Sequence, residues 1–476
     1  MSFVTKIKEK FNNIDYLIVT ASTVFCSGMT FLFSIIARHY IEPALTGIYA
    51  SCILLETYLA YAQFGVLNAY NRDMPQFMGA KRDDDALNLR NSSISFIWLS
   101  YLIVCIIASI VVSIMYALGM IESKFYFGYL LAFIYLIIDT TATFCMNTAR
   151  IYGKFNFSAW VNIAKTLIAF FLGILGVKYF GYYGLYVMPI AAGVFAVIFY
   201  YRTCFEGFKI GIDFVLLKEE IKTGFPLMVN NLVWTLVGSV DKFVILIFMS
   251  TVALGIYDVP QMVFTAMVLI PQTISQVFYY KVSYAYGKTN DKNVLINMCN
   301  KYTNVMGLIT GAVAVIGFYV MPVFVKLIMP KYVDGIFPAQ ILLIGVAIYG
   351  STMLYGNIFS VMKWNKDLIV NSIILCIFNV VFSTTLVLLL GSEIKNVAFG
   401  TAISYAAYSF LLLARLSKKF DTSIVGLLMA GWGPLLLTVV PAILLYILLP
   451  NIFVGFAIAM ILLCVEAIYF YKRDRK

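Results

Sequence analysis

Fourteen runs of roughly 20 apolar residues follow one another along this chain, separated by short polar breaks. A run of that length crosses the hydrocarbon of a bilayer as a helix rising 1.5 Å per residue. In lipid every backbone polar group must be satisfied internally, so spanning segments are helices or closed barrels. The runs fall at residues 14–38, 46–69, 92–119, 125–149, 157–178, 182–201, 224–250, 254–280, 302–325, 336–361, 368–391, 396–414, 423–448 and 451–471, with Pro434, Pro441 and Pro450 punctuating the last two. The expected fold is therefore all-α, a polytopic membrane protein of about 14 transmembrane helices. Composition agrees: 62% of the 476 residues are hydrophobic, 12% are charged, and mean hydropathy is +0.91. Ordinary globular proteins carry about 25% charged residues. The first run is too long for a signal-peptide core and no small-residue cleavage site follows it, so it is expected to be retained.

The charges orient the spans. With a cytoplasmic N-terminus, 26 of the 34 Lys and Arg residues fall in inner segments, among them the tail "YKRDRK". Six lie near outer ends, and Lys165 and Lys242 lie inside spans. Such a bias predicts a multi-pass protein with both termini cytoplasmic. It also accounts for the net charge of +11 without nucleic acid as a partner, because the basic residues form short clusters between apolar runs.

Inner loops reach about twenty residues, whereas the longest outer one, around "MPKYVDGIFP", has about ten. Enzymes that transfer or polymerise sugars outside the membrane need exposed loops to hold acceptor and catalytic groups, so no enzyme activity and no catalytic residues are expected. The one histidine, His39, has no second ligand nearby and there is no P-loop, which argues against a metal site and against ATP hydrolysis. The eight cysteines lie in or beside apolar spans or in inner loops and read as reduced packing thiols.

The chain also carries a weak internal repeat. Gly-Ile-Tyr occurs at 47–49 and 255–257, an offset of 208 that also aligns Gly79 with Gly287, Asp83 with Asp291 and Leu87 with Leu295. Six spans separate the copies, so the halves insert in the same sense, as parallel repeats of transporters do. The expected domains are residues 1–205, a six-helix bundle; 206–420, a second six-helix bundle; and 421–476, two additional helices.

Four segments, "GFPLMVNNLVWTLVGSVDKFVI", "ALGIYDVPQMV", "IMPKYVDGIFPAQILLIG" and "GSEIKNVAFGTAISYA", carry a resemblance. Together they resemble the polysaccharide or O-antigen (Wzx-type) flippases of the multidrug/oligosaccharidyl-lipid/polysaccharide (MOP) exporter superfamily, over about residues 10–420. The resemblance implies two pseudo-twofold-related six-helix bundles in a V around a cavity opening alternately to each side. It implies export of an undecaprenyl-pyrophosphate-linked oligosaccharide across a bacterial plasma membrane, with membrane lipids and the polysaccharide polymerase machinery as further partners. The two extra C-terminal spans depart from the common twelve-span plan and leave open a peptidoglycan-precursor substrate. Two alternatives remain: a cation-coupled multidrug or small-molecule antiporter on the same fold, and a membrane glycosyltransferase or polymerase. No cofactor is expected beyond a coupling cation, Na+ or H+.

Charges inside spans are the candidate site residues. A charge at mid-helix costs roughly 2.5 to 3.5 kcal/mol on insertion scales, so Glu56, Asp139, Lys165, Asp241 and Lys242 would together cost on the order of 12 to 18 kcal/mol if all faced lipid. Asp241 and Lys242 point about 100° apart on a helix. One arrangement turns Lys242, roughly 12 Å below the outer end, toward the cavity and Asp241 toward a neighbouring helix. The resemblance puts the seventh span at the cleft; Lys242 then offers an ammonium to the pyrophosphate and alternates between it and Glu56. Asp139 and Lys165, at similar depth on the fourth and fifth spans, form an ion pair or a coupling site. Arg38 neutralises an anion or reaches into the headgroups.

Overall fold

The computed structural model describes residues 13–449 and 451–473, and among these it is helical without strands. The helices in order are α1 (Asn13–Tyr40), α2 (Pro43–Leu59), α3 (Val66–Gly79), α4 (Asp83–Ala117), α5 (Ser123–Ile151), α6 (Phe155–Phe180), α7 (Gly184–Cys204), α8 (Phe214–Val237), α9 (Val240–Phe248), α10 (Thr251–Thr289), α11 (Lys292–Ile328), α12 (Ile336–Val361), α13 (Asn365–Leu390), α14 (Ile394–Phe420), α15 (Ile424–Leu448) and α16 (Ile452–Arg473).

Eleven helical stretches among the described residues are long and apolar enough to cross a membrane, or twelve when the bent pair α8 and α9 counts as one span. The number fourteen is not reached by this measure, and two places hold the difference. Phe155–Cys204 counts as one stretch of 50 residues, yet about 75 Å of helix is more than twice a hydrocarbon core of about 30 Å. The chain in fact turns at Gly181, where φ is +54°, and α6 packs back on α7. The second place is α16, whose apolar part is the short Ile452–Glu466.

Contacts divide the chain into two compact units, Met1–Leu232 and Val233–Lys476, and the division falls inside α8. In the first unit α1 lies along α6, and α5 along α7, over a core that includes Tyr70, Leu89, Tyr101 and Phe144. The second span is not one continuous helix here: it ends in a short 3-10 turn, and Phe64 (φ +52°) and Gly65 (φ +87°) redirect the chain into α3. Gly65 meets Gly224 of α8 so closely that a Cβ on Gly65 would lie 2.3 Å from the Gly224 carbonyl carbon, and one on Gly224 would lie 2.1 Å from the Gly65 oxygen. Two glycines thereby let the broken span and the middle of α8 touch backbone to backbone.

In the second unit α12 is the central rod, with 72% of its most apolar window buried against 22% for α13. Small residues make this possible: Gly345 faces Ala402 of α14, and Gly350 faces Pro271 and Thr310. The C-terminal helices belong to this unit. α15 packs on α11, where a Cβ on Gly307 would come 2.8 Å from the Gly431 oxygen and one on Gly311 would come 2.1 Å from the Thr438 hydroxyl. Small residues four apart that bring helix backbones together are the usual lipid-phase packing device.

The repeat has a structural counterpart. Gly47 and Gly255 occupy the same position relative to the first residue of α2 and α10, and Asp83 opens α4 while Asp291 caps α11 by accepting the Asn293 N–H at 2.9 Å. The inner loop expected at 281–301 is itself helix except at the left-handed Asn290 and Asp291, so α10 and α11 run well beyond the hydrocarbon.

Candidate functional site

The second unit contains the pair that the apolar pattern alone makes hardest to accommodate. α8 and α9 are bent by 50° across Gly238 and Ser239, and the Ser239 hydroxyl donates back to the Thr235 carbonyl. Asp241 is therefore not at mid-helix. It lies in the first turn of a new helix, where a carboxylate is favoured by the helix dipole and by N–H groups that have no intrahelical partner.

Asp241 is 2% exposed. One carboxylate oxygen, Oδ2, accepts the Tyr257 hydroxyl at 2.8 Å and the Gln261 amide at 2.6 Å, both from α10. Tyr257 and Gln261 are four residues apart and so share one helix face. Tyr257 also reaches Thr401 of α14, whose hydroxyl donates to Asn379 Oδ1 of α13 at 3.1 Å. The other carboxylate oxygen, Oδ1, is buried without a hydrogen-bond partner, and so is Asn379 Nδ2. A buried carboxylate held by neutral donors on one oxygen and open on the other can exchange a proton or accept a small cation. No three His, Cys, Asp or Glu side chains cluster as metal ligands among the described residues.

Lys242 is within electrostatic reach of Asp241 but makes no hydrogen bond to it. It is partly buried, and no hydrogen bond or ion pair joins its ammonium to any described residue. An unpaired ammonium within a span is a standing demand for an anion, since an ammonium is a good point-charge partner for phosphate.

The first unit gathers the remaining charges. Lys165 Nζ donates to Asp139 Oδ1 at 2.7 Å, and the side chains are 24% and 36% exposed. They line a small cavity of about 150 Å³ with Asn162 and Tyr200. Glu56, half-buried on α2, lies within electrostatic reach of Asp139, and Tyr49 within reach of both Glu56 and Arg38. Arg38 folds back onto its own helix, where its Nη1 donates to the carbonyl and hydroxyl of Ser34. Arg38, Glu56, Asp139 and Lys165 thus form one electrostatic neighbourhood, whereas Asp241 and Lys242 belong to the other unit.

Sequence reading did not single out Gln261, Thr401 or Asn379 as Asp241 neighbours. Tyr257 carried a signal, as the last residue of the repeated Gly-Ile-Tyr.

A profile of the family described as "Polysaccharide biosynthesis protein" matches residues 73–334. No curated protein sequence matches. Among solved structures, the lipid II flippase MurJ in an inward closed conformation superposes with a TM-score of 0.72 at 14% identity, over 97% of this chain and all of its own (100%). An inward-facing multidrug resistance MATE family transporter of the MOP superfamily gives 0.67 at 13% identity, over 82% and 96%. A MOP superfamily transporter from Pyrococcus furiosus gives 0.56 at 14% identity, over 87% and 94%. At such identities the likeness is one of fold.

Proposed function

The chain belongs to the polysaccharide biosynthesis protein family and has the fold of MOP transporters, and from that premise we propose that it flips an undecaprenyl-pyrophosphate-linked oligosaccharide from the cytoplasmic to the outer leaflet of a bacterial plasma membrane. Transport proceeds by alternating access, with both termini in the cytoplasm. The observation that carries this reading is Lys242: a partly buried ammonium beside the bend of a broken span, with the Asp241 charge nearby but no hydrogen bond or ion pair among the described residues. A pyrophosphate supplies the missing partner. In the first unit, Arg38 and Glu56 are assigned to transport as well, Arg38 as a further cation and Glu56 as a carboxylate within electrostatic reach of Asp139.

The cycle also needs a driving force. Asp241, with one oxygen held by Tyr257 and Gln261 and the other open, is the group in the second unit suited to exchange H+ or Na+. The Asp139–Lys165 pair serves chiefly to hold α5 against α6. A small-molecule antiporter is the second reading, and the Asp241 cluster is what favours it. Deleting the protein distinguishes the two. Accumulation of a lipid-linked oligosaccharide on the cytoplasmic leaflet supports the flippase, and an unchanged lipid-linked pool with altered drug or cation efflux supports the antiporter.

A further inference from the structure

The first unit holds a second cationic site, distant in sequence from Lys242 and unused by the transport reading above. The C-terminal ends of α3, α5 and α7, the first turns of α4 and the connections that follow α5 and α7 surround a cavity of about 530 Å³. Arg90, Arg150, Lys154 and Arg202 line it, and Glu206 is the one carboxylate among its lining residues.

None of the four cations is ion-paired among the described residues. Arg90 is 2% exposed, yet its guanidinium meets neutral acceptors only: the Asn91 side-chain oxygen at 3.1 Å and the Glu206 backbone carbonyl at 2.9 Å. Arg150 donates to the Ser158 hydroxyl at 3.0 Å, and Lys154 to the Thr203 hydroxyl at 3.2 Å. Arg202 is exposed and has no hydrogen bond or salt bridge among the described residues. The topological charge bias explains why basic residues lie at this end of the spans. It does not explain why four of them converge on one concavity, nor why one is withdrawn almost completely from water without a counter-ion. Burying a guanidinium that way is costly unless a compensating anion arrives. Arginine forks match phosphate oxygens two at a time, and a cavity graded from a buried Arg90 to an exposed Lys154 and Arg202 admits such a group from outside.

We propose that this cavity binds a phosphate-bearing anion, with Arg150, Lys154 and Arg202 taking the phosphate oxygens and Arg90 supplying fixed positive charge at its floor. The phosphate is either the headgroup of an anionic phospholipid or a soluble phosphate ester or diphosphate. Tyr152, on the same wall, gives an apolar face for whatever the phosphate carries.

The test uses the full-length protein in nanodiscs and the triple variant Arg150→Gln, Lys154→Gln, Arg202→Gln; Arg90 is left in place because its buried bonds support the α4 end. Two probes are applied: inorganic pyrophosphate, titrated in phosphatidylcholine discs, and phosphatidylglycerol, measured as lipid retained by the protein in native mass spectrometry. Each lost charge-assisted contact should weaken binding about ten-fold or more. Loss of phosphatidylglycerol retention without any pyrophosphate binding identifies a lipid headgroup. Loss of pyrophosphate binding with lipid retention unchanged identifies a soluble phosphate, and loss of both supports the site for either source. The proposal is overturned if the folded variant binds both probes as wild type does, or if wild type binds neither.

Discussion

The contact between Gly65 and Gly224 makes a graded prediction. An alanine at position 65 suffers twice. Its left-handed φ of +87° costs an L-residue roughly 1 to 2 kcal/mol. Its Cβ would also sit 2.3, 2.5 and 2.6 Å from the Gly224 carbon, the Gly224 oxygen and the Phe225 nitrogen, all backbone atoms that no side-chain rotation can clear. Overpacking of that kind costs about 1 to 3 kcal/mol, so Gly65→Ala should destabilise the first unit by about 2 to 5 kcal/mol. Gly224→Ala meets the same wall at 2.1 Å, but it lies within a helix and recovers about 1 kcal/mol of propensity, leaving a net loss of about 0 to 2 kcal/mol. Gly28→Ala, in α1 with nothing within 4 Å of its added carbon, should gain up to about 1 kcal/mol. Thermal unfolding of the purified variants in one detergent, followed by tryptophan fluorescence, should rank Gly28→Ala at or above wild type, then Gly224→Ala, then Gly65→Ala. A Gly65→Ala protein that melts with wild type would refute the backbone crossing.

Three further outcomes are expected. Lys165→Ala, which strands Asp139 beside Glu56, should lower stability by about 1 kcal/mol given the partial exposure of the pair; the double exchange Asp139→Lys with Lys165→Asp should restore both stability and transport, and a transport-dead exchange would show that the pair does more than hold α5 to α6. Gly311→Leu should drive a side chain into Thr438 and loosen α15 from α11, read as faster proteolysis at residues 421–423. Asp213 accepts N–H bonds from Leu216 and Val215 and the Asn88 amide, which hold its carboxyl below the usual carboxylate range. Because the folded value is depressed, this stabilisation is complete above the unfolded pKa of about 4 and is lost as pH falls through the lower folded value. Hydrogen exchange at residues 215 and 216 should therefore accelerate, beyond its intrinsic pH dependence, as acid protonates Asp213, and Asp213→Asn should remove that step.

Much of the fold was legible because hydropathy reports on lipid directly: the apolar runs are mostly helix in the described residues. The breaks were not. Phe64–Gly65 and Gly238–Ser239 interrupt runs whose apolar content continues on both sides, and hydropathy is blind to a change of φ or of axis. That is why Asp241 read as a mid-helix charge, although it opens a helix. Its partners were hidden for a related reason: Gln261, Thr401 and Asn379 come from three helices, and in an all-round apolar chain no periodicity marks which face meets which. Repetition marked the Gly-Ile-Tyr that contains Tyr257, because an equivalent position in the first turns of a helix in each half is a local pattern, but it did not assign Tyr257 to Asp241. The four cations around the 530 Å³ cavity come from α4, α5, the connection after α5 and α7, where sequence shows only the inner-end excess of Lys and Arg and nothing of their convergence.

The central claim concerns the ammonium of Lys242, and reconstituted proteoliposomes test it most directly. A fluorescent undecaprenyl-pyrophosphate-linked sugar is supplied on one leaflet and its appearance on the other is timed for wild type, Lys242→Ala and Lys242→Arg. Lys242→Ala should abolish flipping while the protein stays folded at wild-type level, and Lys242→Arg, which keeps the charge, should retain a measurable rate. Flipping by Lys242→Ala at the wild-type rate would contradict the account.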